Sequence, residues 1–186
     1  MAASRPPCRA PAPLRLVVMG VSGAGKSTIA STLAGRFGLV YVDGDELHPL
    51  ANVAKMRSGV PLDDADRWPW LDLVAATLRS PNGVVLACSA LKRAYRDRIR
   101  GVAPPTGLRF VFLDIAAAEV AGRVQGRSGH FMPPTLIGSQ FAALERPEGD
   151  EADVLTVAAG RSVHDIADEI SLRLAAVNET GARQHG

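Results

Sequence analysis

Residues 20–27 read GVSGAGKS and match the phosphate-loop pattern G-x-x-x-x-G-K-[ST] at every position. That pattern holds a nucleotide triphosphate. Its glycines let the backbone wrap close to a phosphate, so that N–H groups of Gly20, Ser22, Gly23, Ala24, Gly25, Lys26, Ser27 and Thr28 are available to phosphate oxygens. The Lys26 ammonium can reach β- and γ-oxygens, and the Ser27 hydroxyl is the expected Mg2+ ligand. ATP and Mg2+ are therefore the expected bound species. The acceptor stays open, because switches, motors, ligases and kinases all carry such a loop.

A second reactive set stands in VDGDELHP, residues 42–49. Asp43 and Asp45 are two apart, so an extended chain would turn both to one side. One carboxylate can hold Mg2+ through water, and the other can take a proton from an attacking hydroxyl. The apolar run GVVLACSA (83–90) lacks the terminal aspartate that usually follows such a strand, which makes Asp43 the expected metal carboxylate. In SALKRAYRDRIR (89–100), Lys92, Arg96 and Arg100 form a basic stripe. Lys92 lies just past the end of an apolar run, which brings Ser89, Lys92 and Arg96 within reach of an acceptor; Arg98 and Arg100 read as a solvated face. In GRVQGRSGHFMPP (122–134), Arg123 and Arg127 are one turn apart, and Gly126 and Gly129 loosen the chain beyond that turn. Such a lid can close over ATP, exclude water and set guanidinium groups on the transferring phosphoryl.

These groups need a frame. Five apolar runs, at 14–19, 39–43, 83–89, 108–114 and 153–159, are rich in Val, Leu and Phe without clean alternation, as in strands buried on both faces. Helical spacing fills the intervals: Ile29, Leu33 and Phe37 before a terminating Gly38, then Leu91, Tyr95 and Ile99, and finally Val163, Ile166, Ile170 and Leu174. Trp70, Leu71 and Val74 make a further apolar helix face, so Trp68 and Trp70 read as packing residues. Strand alternating with helix implies a parallel sheet covered on both sides. The phosphate loop then ends at a helix N-terminus, whose partial positive charge favours phosphate. The interval 44–82 has no strand and is where acceptor recognition is expected. One kinase-sized domain at 14–176 is expected, with a disordered extension at 1–13 and a flexible tail at 177–186.

Composition narrows the setting. The chain has 186 residues, 47% hydrophobic, enough for a substantial core. Lys and Arg number 21 against 19 Asp and Glu, a balance that gives no footing for nucleic acid or a polybasic membrane contact. No apolar stretch approaches about 20 residues, so no membrane span is expected. Cys8 and Cys88 are far apart, in keeping with a reduced, cytoplasmic protein.

Longer motifs carry a resemblance. The segment DGDELHPLANVAKMRSGVPLDDADRWPWL (43–71) resembles the signature of the gluconokinase family, in which D-x-D, H-P, N, K-M, G-x-P-L, D-x-D-R and P-W-L recur in this order. CSALKRAYRDRIR (88–100) and GRSGHFMPPTLIGSQFAALERP (126–147) are similar to two more of its stretches, and the resemblance spans most of 14–175. It implies an α/β P-loop NTPase three-layer fold of the nucleoside-monophosphate-kinase and shikimate-kinase type, a five-stranded parallel sheet flanked by helices with a mobile lid. It also implies ATP-dependent phosphorylation of D-gluconate on its 6-hydroxyl, with small-molecule substrates only, and admits a homodimer. Under it Lys26, Asp45 and Arg127 are catalytic, with Asp45 nearest the attacking hydroxyl and Arg127 on the γ-phosphate beside Arg123. Arg67 would pair with the substrate carboxylate. His48, Asn52, Ser89, Lys92, Arg96, His130 and Gln140 would complete the acceptor site, and Ser27 and Asp43 the metal site. Gly126 departs from the helix former usual at that lid position. Two other readings stay open: a shikimate-type kinase of the same fold, and a nucleotide-binding module with no acceptor.

Overall fold

Each apolar run forms a strand in the computed structural model, which describes residues 13–125 and 134–183. β1 is Arg15–Met19, β2 Val40–Asp43, β3 Val84–Ala87, β4 Leu108–Asp114 and β5 Val154–Ala158. They make one sheet in the order β2-β3-β1-β4-β5, parallel throughout. β1 is central, with Val17 in register with Leu86 on one side and Phe110 on the other. The chain leaves β1, β2 and β3 along the same edge, which collects their exits into one place.

Two apolar layers hold the sheet. Leu16 and Val18 of β1 pack on one face with Ile29 and Leu33 of α1 (Lys26–Phe37) and with Ile166 and Ile170 of α7 (Val163–Arg183). Val17 and Met19 pack on the other with Trp70, Leu71 and Val74 of α3 (Asp64–Thr77) and Tyr95 and Ile99 of α4 (Arg93–Val102). Both residue sets of a strand are therefore apolar, which is why the runs do not alternate. Coverage fails only at the edges, where Val40 on β2 is 63% exposed.

The interval 44–82 holds a 3₁₀ turn (Gly44–Leu47), α2 (Leu50–Arg57) and α3. Asp63 and Asp66 form a reciprocal capping box at the start of α3. Gly38 takes φ 63° and closes α1, its N–H reaching Ala34 O. One expectation shifts. α4 begins at Arg93 with Lys92 as its N-cap, so Leu91 is buried in the preceding loop and not on the helix. α7 runs through Arg183, so it includes residues of the tail that begins at 177. α5 (Ala117–Gln125) and α6 (Pro134–Ala143) flank the segment read as a lid. That segment's core, with Gly126, Arg127, Gly129 and His130, lies outside the described residues, as do residues 1–12 of the extension. Among the described residues no helix is long and apolar enough to cross a membrane.

Candidate active site

The phosphate loop joins β1 to α1. Gly20 takes φ 141°, and a Cβ there would lie 3.0 Å from Leu113 O; Gly25 takes φ 97° at the N-cap of α1. Both positions need glycine to keep the loop narrow. Lys26 Nζ donates to Val21 O at 3.1 Å. Burial lowers the Lys26 pKa, and Asp45 and Asp43 pull it back up. A lysine in that setting gains most from an added anion.

Beside it, the end of β2 is built around Asp43. One oxygen, Oδ2, accepts from the Ser27 hydroxyl at 3.2 Å and from Tyr41 Oη at 2.9 Å. The other, Oδ1, accepts from Asp45 N–H at 3.0 Å. The Ser27 proton thus points to Asp43, which leaves the hydroxyl lone pairs to a cation, so the pair fits Mg2+ held partly by phosphate oxygens. Among the described residues no group of three or more His, Cys, Asp or Glu could hold a metal by itself.

Asp43 and Asp45 are not aligned along an extended strand, as spacing had suggested. The strand stops at Asp43, whose carboxylate caps a 3₁₀ turn carrying Asp45. Gly44 permits this, because its Cα lies so close to β3 that a Cβ would be 2.4 Å from Ala87 O. Trp70 Nε1 donates to Gly44 O at 2.7 Å and pins the turn from below. The D-G-D sequence carried that signal as an Asx-type turn.

The turn delivers Asp45 to a cavity of about 660 Å3. Ser22, Lys26, Asp45, His48, Arg67, Ser89 and Gln140 are among its polar groups, together with Arg57, Ser58 and Ser139, and Val53, Met56, Val60, Leu62 and Trp70 form an apolar wall. His48 stacks on Trp70, with centroids 4.2 Å apart and planes 14° from parallel. Burial lowers the His48 pKa and Arg67 adds to that, against Asp45, so the ring is neutral at pH 7. Asn52 Nδ2 donates to Asp66 O at 2.8 Å and lies 3.3 Å from His48 Nδ1. An amide nitrogen only donates, so Nδ1 accepts and Nε2 keeps the proton. Arg67 is held by Tyr95 Oη at 3.4 Å, with its guanidinium 5.7 Å from that ring's centroid. Ser22 N–H donates to Gln140 Oε1 at 2.6 Å, which joins α6 to the phosphate loop. Cys88, also at this edge, has its thiol pushed up to about 12 by burial and is neutral.

Four sequence readings need correction. Arg96 is 1% exposed, bonded to Glu151, and does not line the cavity. Arg100 is not a solvated residue; it pairs with Asp153, Glu151 and Asp97 at 2.8, 2.8 and 2.7 Å. Lys92 does not line the cavity, because Asp64 takes its ammonium at 2.8 and 2.9 Å. Asn52 is 4% exposed and acts on His48 and α3, not on the cavity. Arg123 donates to Ala24 O at 3.3 Å and Ala159 O at 2.5 Å, linking the phosphate loop to the loop after β5. Thr28 is an exposed residue of α1. Sequence reading missed Tyr41, though it shares a strand face with Asp43. Asp64, the first aspartate of the D-x-D-R motif, had no role assigned from sequence; it accepts from Tyr95 Oη and Lys92, partners far off in the chain.

A family model described as AAA domain (AAA_33) matches residues 16–147. The gluconokinase of Gluconobacter oxydans is 48% identical over 162 residues, covering 85% of this chain and 89% of that protein. The chain belongs to the gluconokinase family. A crystal structure of a gluconokinase from Sinorhizobium meliloti superposes with TM-score 0.87 at 42% identity, covering 95% of this chain and 99% of that one. Shikimate kinase from Aquifex aeolicus, at TM-score 0.54 and 18% identity, shares the fold alone. The five-stranded parallel sheet with its flanking helices is thus a P-loop kinase fold, and within it the gluconokinase family is where this chain stands.

Proposed function

We propose that this chain transfers the γ-phosphoryl group of ATP to the 6-hydroxyl of D-gluconate, giving ADP and 6-phospho-D-gluconate. The observation that carries this reading is that Asp45, His48 and Arg67 line the same cavity as Lys26 of the phosphate loop. Donor grip and acceptor groups face one space.

Gluconate offers one carboxylate and a chain of hydroxyls. Arg67, steadied by Tyr95, suits the carboxylate. Neutral His48, its Nδ1 taken by Asn52, offers its Nε2–H to a hydroxyl. Asp45 orients the 6-hydroxyl and takes its proton as that oxygen bonds to the γ-phosphorus and the bond to the β,γ-bridging oxygen breaks. Positioning outweighs base strength in such a loose transfer. Lys26 neutralises the phosphate oxygens. Ser27, with Asp43 accepting its proton, would hold Mg2+, which when bound supplies further charge to those oxygens. Arg123 and Arg127 remain the lid arginines proposed for the phosphoryl group, His130 an acceptor contact, and Gln140 a contact at the loop apex.

ADP release measured over gluconate, shikimate and nucleoside monophosphates tests the reading. Gluconate alone should stimulate release. Preference for shikimate would make the chain a shikimate-type kinase, and ATP binding without acceptor-stimulated release would make it a nucleotide-binding module.

A further inference from the structure

Arg96 carries its charge where solvent does not reach, at 1% exposure. Its Nε and Nη2 donate to both carboxylate oxygens of Glu151, at 2.7 and 2.5 Å, and the Glu151 side chain is itself 2% exposed. An apolar pair of the same volume would avoid the desolvation cost of such a pair. What the ion pair adds is direction. The remaining nitrogen, Nη1, faces three main-chain oxygens: Glu145 O at 3.1 Å, Leu91 O at 3.3 Å and Ala90 O at 3.4 Å.

Those oxygens belong to two segments that reach the cavity from different sides. Ala90 holds φ 40°, the one positive φ outside glycine among the described residues. An alanine stays in that region only where its surroundings hold it. It directly follows Ser89, which lines the cavity and whose oxygen accepts from Gly20 N–H of the phosphate loop at 3.3 Å. Glu145 follows α6, whose Gln140 accepts from Ser22 N–H. The two segments also bond directly. Glu145 N–H donates to Leu91 O at 2.9 Å, and the Glu145 carboxylate accepts from Arg93 N–H at 2.6 Å. Glu151 anchors the set ahead of β5, where its own oxygen accepts from Val154 N–H at 2.9 Å.

We infer that Arg96, oriented by Glu151, is a positioning residue: it sets the spacing between Ser89 on the acceptor wall and Gln140 at the apex of the phosphate loop, and so the alignment of donor phosphoryl and acceptor hydroxyl. The inference rests on the proposed phosphoryl transfer. Arg96 bonds to nothing in α1, which carries Lys26 and Ser27, and reaches the phosphate loop only indirectly, through the segments of Ser89 and Gln140, so transfer should depend on it far more than nucleotide affinity does.

The pair Arg96→Met with Glu151→Leu removes both charges together and leaves neither unpaired in the core. Arg96→Lys keeps the charge and loses the planar fork. For each, gluconate-dependent ADP release gives kcat, and calorimetry with a non-hydrolysable ATP analogue gives nucleotide affinity. Both variants should fold, bind the analogue as the wild type does, and lose kcat on the order of 100-fold, the effect of a misplacement near 1 Å. Arg98→Met, on the same helix but paired with Asp72 at the surface, should leave kcat unchanged. Wild-type kcat in the folded double variant, or loss of nucleotide affinity in step with kcat, overturns the inference. So does a chain that fails to fold with either change, since Arg96 would then be purely structural. A wild type inactive on every acceptor sinks the proposed function and this inference together; an active wild type with an unimpaired double variant sinks this inference alone.

Discussion

At the residue scale the site works by giving neighbouring carboxylates different duties. Asp43 has both oxygens engaged, by Ser27, Tyr41 and the Asp45 N–H, whereas Asp45 faces the cavity. Of two aspartates in the same short sequence, one is thereby a brace and the other the one proposed to react. Asp45→Asn should lower kcat by roughly 10²- to 10⁴-fold, the usual range for loss of a proton acceptor, while the KM for ATP stays near wild type. Steady-state kinetics with both substrates varied checks this, and unchanged turnover would remove Asp45 from the reaction. Tyr41→Phe should weaken the brace more mildly, because Ser27 and the Asp45 N–H still hold Asp43.

At the element scale the decisive piece is the 3₁₀ turn after β2. It exists because Gly44 packs against the β3 backbone and Trp70 holds its carbonyl. Gly44→Ala forces the turn off β3 and should cost about 1–3 kcal/mol, as overpacking does, together with much of the activity, since Asp45 moves with it. Gly35→Ala is the contrasting case. Gly35 lies inside α1 with nothing within 4 Å of a built Cβ, so alanine should stabilise by about 0.5–1 kcal/mol and leave kinetics alone. Urea unfolding of the two variants, beside their kcat values, separates a glycine needed for contact from one that is not.

Across the whole molecule, the buried charges on α4 tie both halves of the sheet edge together and give stability a pH dependence. Arg96 first, then Arg100, hold the Glu151 carboxyl at about 2, below its ordinary 4.5. A folded-state value below the unfolded one means that the stabilisation is complete above about pH 4.5 and is lost as pH falls toward 2. Urea midpoints should therefore decline along that acid limb. Glu151→Gln should be less stable at neutral pH, because it orphans Arg96, and should show a shallower acid decline. An acid limb of unchanged slope would assign the titration to other carboxylates.

Much of this was legible from local order. Residues 20–27 determine a phosphate grip, because the glycine spacing and the lysine act within one loop. The apolar runs determine five strands, the inner three buried, and hence a parallel sheet that brings the exits of β1, β2 and β3 to one edge. The motif order in 43–71 determines the family. Tertiary structure decided the rest, wherever the partner is distant in sequence. Arg96 and Lys92 share a helical stripe, but Glu151 draws one into the core and Asp64 takes the other. Asn52 reads as a hydroxyl ligand until Asp66 O and His48 claim its amide. A charged side chain goes where its counter-charge and remaining hydrogen-bond partners lie together, and only the folded chain brings those partners into reach.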